Sequence, residues 1–137
     1  MFELFEIKKF LLYKKRLEIN RCNESINDML NISKIHKNNY HLYNDLGILY
    51  LNKDYHFMAR KYFKKALSIK NNFVSNYGLC ISYYYNENFN KAYEYANDLF
   101  TIINEDKDNK IGLSYDEYNH IRELYKEIED NLIKNLF

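Results

Sequence analysis

Histidine and cysteine are the side chains here best suited to hold a metal ion or attack a substrate, so their spacing is informative. His36, His41, His56 and His120 form no HxxxH or HExxH pair, and none neighbours a cysteine. Converging ligands of that kind are what a zinc site requires. Cys22 and Cys80 are far apart and make no CxxC pair, so neither a disulfide framework nor a thiolate metal site is expected. Cys80 lies between Leu79 and Ile81. In such a setting a thiol packs as a small hydrophobe rather than acting as a nucleophile. Asp106, Asp108 and Glu117 fall at positions 1, 3 and 12 of a calcium-type loop, but Lys110 and Ile111 stand where that loop needs an oxygen ligand and a glycine. GxGxxG, GxxxxGK[ST] and GxSxG are all absent. The acidic residues are scattered without a convergent pair. The expectation is a non-enzymatic protein with no catalytic residues, no metal and no cofactor.

Charge is the second chemical resource. Lys8, Lys9, Lys14, Lys15, Arg16 and Arg21 cluster near the start, and Arg60, Lys61, Lys64 and Lys65 cluster further on. Basic clusters among aromatics can mark a nucleic-acid surface. The whole chain carries only +1, however. Residues 1–70 hold 14 Lys/Arg against 7 Asp/Glu, and residues 71–137 hold 6 against 12. The halves are thus +7 and −6, and the acidic half would repel phosphate. This argues against a nucleic-acid partner. Such a charge dipole can orient an approaching partner. It could also stack copies head to tail into a homo-oligomer.

These residues must be positioned by helices. There is no proline and only three glycines in 137 residues, and 47% of the chain is apolar. That suits one domain of helices joined by short polar turns. Glu3 and Glu6 interrupt the N-terminal apolar stretch, which is unlike a signal peptide. No apolar run approaches the roughly 20 residues of a membrane span. A soluble cytoplasmic protein without a membrane partner is expected. Helical spacing of apolar residues predicts helices over about 2–19, 24–36, 40–51, 55–70, 73–85 and 89–104. Ser114 to Glu117 has the form of a capping box and predicts a last helix from Tyr115. Tyr118, Ile121, Leu124, Tyr125, Ile128 and Leu132 draw one apolar stripe along it.

Sliding the chain against itself aligns KNNYHLYNDLGILY with KNNFVSNYGLCISYYY at an offset of 33 residues, and MARKYFKKALSI with KAYEYANDLFTI. A fixed period of this length with two helices per unit signals a solenoid. The unit from Tyr40 to Phe73 resembles a tetratricopeptide repeat: Tyr43, Leu46-Gly47 and Tyr50 match the first helix, and Ala59, Phe63 and Ala66 the second. The next unit keeps Leu79, Tyr83, Ala92 and Leu99, but has Cys80 at the glycine position and Ala96 at an aromatic one. The four alanines of the chain, Ala59, Ala66, Ala92 and Ala96, all fall in second helices, where close crossings need small side chains. The fold expected is an all-α tetratricopeptide-type solenoid of about three hairpins. Its parts are a degenerate repeat at 1–39, the best repeat at 40–72, a further repeat at 73–104 and a capping helix at 114–137.

The resemblance implies a concave groove, lined by first helices, that binds a peptide or helix of another protein. The groove positions are His41, Asn44, Asp45, Ile48, Leu51 and Asn52 in one repeat, and Val74, Tyr77, Ile81, Tyr84 and Tyr85 in the next. Tyr77, Ile81 and Tyr84 share a helix face, and exposed tyrosines there would bind well. Members that grip a C-terminal carboxylate use Lys and Asn at fixed first-helix positions. Asn44, Ile48 and Gly78 occupy those positions here, so that basic clamp is missing.

Overall fold

The computed structural model describes residues 26–136. Six helices account for most of them: α1 (Ile26–Ile35), α2 (Tyr40–Asn52), α3 (His56–Ile69), α4 (Phe73–Tyr85), α5 (Phe89–Glu105) and α6 (Tyr115–Lys134). There is no strand among the described residues, and none of their helices is long and apolar enough to cross a membrane. The helix expected over 2–19, with Cys22 and the first basic cluster, lies outside the described residues.

Asparagine and serine set the helix starts. Asn39, Asn72 and Asn88 accept from the amides of His41, Ser75 and Lys91, so the Asn-rich links are N-caps. Ser114 accepts from Glu117 N while Glu117 accepts from Ser114 N, which completes the capping box and starts α6 where the sequence indicated. The turns closing α2 and α4 are the same turn. Tyr55 N donates to Tyr50 O and Asn88 N to Tyr83 O, both at 2.9 Å. Asp54 and Glu87 each adopt the left-handed conformation with φ of 61°. This is the Schellman arrangement, here without its usual glycine.

Each helix packs on the one before it, and α4 also meets α3 and α2. Ala59, Ala66, Ala92 and Ala96 are all buried, as expected for residues at helix crossings. The closest fit is at Phe63. Its ring is fully buried and lies against two glycines on different helices. A Cβ added at Gly47 of α2 would stand 2.6 Å from the ring, and one at Gly78 of α4 would stand 2.5 Å from it. A ring hemmed in on both sides has no cheap way to shift. Burying a phenylalanine contributes roughly 1.5–3 kcal/mol, and here one ring joins three helices.

Polar groups reinforce the same junction. Asn44 Nδ2 of α2 donates to Asn72 Oδ1 at 3.0 Å, and the buried Ser75 hydroxyl of α4 donates to Asn44 Oδ1. The Asn72 side chain thereby caps α4 and ties it to α2. Around Phe63 one core cluster runs from Ile48 to Ile128. A smaller one, including Met29, Tyr43, Leu46 and Tyr62, joins α1, α2 and α3.

Gly47→Ala and Gly78→Ala should each lower the melting temperature. The helix-propensity gain of about 1 kcal/mol is outweighed by overpacking that costs about 1–3 kcal/mol. In a Phe63→Leu background, itself destabilised, both alanines should become neutral or stabilising. Thermal melts of the double-mutant cycle measure this coupling, and additive effects would contradict the packing described.

Candidate binding site

The α2–α4 face expected to form an open groove is largely closed. Asn44, Asp45, Ile48, Leu51, Tyr77, Ile81 and Tyr84 are buried, Asn52, Val74 and Tyr85 are half-buried, and His41 is exposed. The exposure expected of the seven buried residues is therefore corrected, for identifiable reasons. Ile48, Leu51, Tyr77 and Ile81 belong to the core cluster around Phe63. Asn44 is turned onto the start of α4 by its bonds to Asn72 and Ser75. Tyr77 meets Phe73 edge-on, with centroids 5.7 Å apart. Tyr84 packs edge-on against Tyr85 and Phe89, and its hydroxyl donates to Glu127 Oε2 of α6 at 2.6 Å.

The neighbouring contacts are also structural. Ser82 is fully buried and receives Arg60 Nη1 at 3.0 Å, with His56 Nδ1 3.2 Å away, so the start of α3 is fastened to the end of α4. Burial pushes the Cys80 thiol up to about 12. Burial also raises the phenols of Tyr77 and Tyr84, the latter with help from its bond to Glu127. Among the described residues no group of three or more His, Cys, Asp or Glu could hold a metal ion.

Between α5 and α6 lies an open cleft of about 790 Å³, lined in part by Asn97, Phe100, Tyr118, Arg122 and Tyr125. The Tyr125 Oη lies 3.0 Å from both Tyr93 Oη and Asn97 Oδ1, and its single proton is donated to one of them at a time. The bond to Tyr93, followed by burial, pushes the Tyr125 phenol up to about 12. Phe100 stands edge-on to both Tyr118 and Tyr125, and the Arg122 guanidinium covers Tyr118. Sequence reasoning missed this cleft. Tyr118 and Tyr125 were visible on the apolar stripe of the last helix, but the stripe alone does not say which residues stay half-open. Comparison with protein-family models, with curated proteins and with solved structures finds no match.

The buried thiol and phenols give a test in alkali. Because their pKa values are raised by folding, the unfolded chain releases these protons first. Stability should fall as pH climbs through the unfolded values of about 8.5 for the thiol and about 10 for the phenols. In a Cys22→Ser background, Cys80 should resist a chromogenic thiol reagent at pH 8 and react at once on unfolding. Rapid labelling of the native protein would place Cys80 at the surface instead.

Proposed function

We propose that the chain is a non-enzymatic protein-interaction module built as a tetratricopeptide-type α-solenoid, with a polypeptide as its partner. The observation that carries this reading is the recurrence at 33 residues. The same spacing that aligns the two sequence units also separates the two Schellman turns, with left-handed Asp54 in one and Glu87 in the other. A turn, a capping asparagine and a small-residue crossing that recur together are what a stacked hairpin repeat requires. In this reading 40–72 and 73–104 are successive repeats, 1–39 a degenerate leading unit and 114–137 the cap. A solenoid of this kind works through the surfaces that it offers. With most of the α2–α4 face buried, those surfaces are the outer faces of the hairpins and the α5–α6 cleft.

A second reading is favoured by one observation, the +7 and −6 halves of the chain. Oppositely charged ends can stack copies head to tail as a structural assembly. Such contacts weaken as salt screens them.

Two measurements separate the readings. Sedimentation velocity should show a monomer at low and at physiological salt for an interaction module. Mass that grows at low salt and collapses at higher salt would favour stacking. A photo-crosslinking residue placed in turn at His41, Phe57 and Arg122, three exposed positions, should give discrete protein adducts in cell extract from at least one face. Absence of adducts from all three would contradict the module reading.

A further inference from the structure

The outer face of α3 brings together an unbalanced set of cations and an exposed aromatic side chain. It carries Lys61, Lys64 and Lys65 with no acidic residue on the helix, while Arg60 of the same helix is turned onto Ser82. The three lysines are exposed, and among the described residues no carboxylate pairs with them. One turn before Lys61 stands Phe57, which is 74% exposed.

The cations are also held in place. Lys65 Nζ lies 4.8 Å from the Tyr43 ring centroid, Lys61 Nζ 5.6 Å from that of Tyr62 and Lys64 Nζ 5.4 Å from that of Tyr83. Those rings are themselves immobilised. Tyr62 stacks on Tyr43 and Tyr50, and Tyr83 stacks on Tyr95. Tyr43, Tyr62 and Tyr83 are at most 9% exposed. Each ammonium therefore lies over a buried ring, a contact that contributes modestly at an exposed site and biases the side chain toward this face before any partner arrives.

We propose that this face docks an acidic polypeptide segment: carboxylates about one helical turn apart meet Lys61, Lys64 and Lys65, and an apolar side chain packs on Phe57. The proposal rests on the protein-interaction reading above and assigns its surface and partner class. Lys61 and Lys65 are four residues apart, so their side chains neighbour each other along the helix, matching a partner with its own acids at that spacing. A polypeptide fits better than a nucleic acid for two reasons. The rings that could stack bases are buried beneath the lysines rather than presented, whereas single-strand binding relies on open aromatic platforms. A nucleic acid carries a charge at every residue and would meet the −6 half wherever it extended beyond this short patch, whereas a polypeptide can confine its acids to the patch.

Fluorescence anisotropy on the full chain tests this with two probes of equal charge: a short synthetic peptide of glutamates with a leucine one turn ahead of them, and an oligothymidylate. The peptide should bind saturably and more tightly than the oligothymidylate. Lys61→Gln with Lys65→Gln should weaken peptide binding about tenfold and flatten its salt dependence, while Lys61→Arg with Lys65→Arg should retain it. Phe57→Ser should weaken binding several-fold with the salt slope unchanged. Melting curves of these surface variants report whether each remains folded. Peptide binding that ignores the glutamine pair, no saturable peptide binding, or oligothymidylate binding as tight or tighter would overturn the assignment. Protein adducts formed from the Phe57 position in extract that persist in the glutamine variant would remove this surface yet leave the module reading standing. Absence of adducts at every position tested would remove both.

Discussion

The fit of one phenyl ring between two glycines governs the rest of the molecule. Phe63 projects from α3 into a space that exists only because neither Gly47 nor Gly78 has a side chain. Glycine inside a helix costs about 1 kcal/mol relative to alanine, and these two sit in helices that are otherwise well formed. The cost is offset because α2 and α4 can then approach the same ring from different directions. The hairpin α2–α3 is in this way locked to the start of the next hairpin, and the Asn44–Asn72–Ser75 bonds fix its register.

The same fit decides where the protein can meet anything else. With the first helices drawn together on Phe63, their side chains become core, and the large tyrosines of α4 are consumed in packing. Tyr84 is held further by Glu127 of α6. Accessible chemistry shifts to the second helices and to α6. There the exposed cations of α3 rest on tyrosines whose rings belong to the interior, so the stability of the core and the geometry of the surface charge share the same aromatic residues.

Much of the fold was legible in the sequence because its signals are local. The Asn-rich links became caps, Ser114 and Glu117 became a capping box, and the four alanines were buried. The end of α1, both ends of α2 to α5 and the start of α6 lie within about one residue of those expected from apolar spacing and capping. The expected groove was less legible. A residue such as Tyr77 reads identically from spacing whether its face is open or covered, because the covering partner is distant in sequence. The identity of the glycine at 78 carried the missing information: at the 33-residue offset it aligns with Asp45 rather than with Gly47, and its use is explained by a ring arriving from α3. The α5–α6 cleft was hidden for a similar reason, since Phe100 joins Tyr118 and Tyr125 only once two helices dock.

The most direct measurement of this account is the nuclear Overhauser pattern of the Phe63 ring in solution. The α-protons of both Gly47 and Gly78 should show strong contacts to the same ring. Their resonances should be displaced by its ring current and return toward ordinary positions in Phe63→Leu. Contacts from only one of the two glycines, or undisplaced α-proton resonances, would mean that the ring does not join α2 to α4 and that the hairpins are held together in another way.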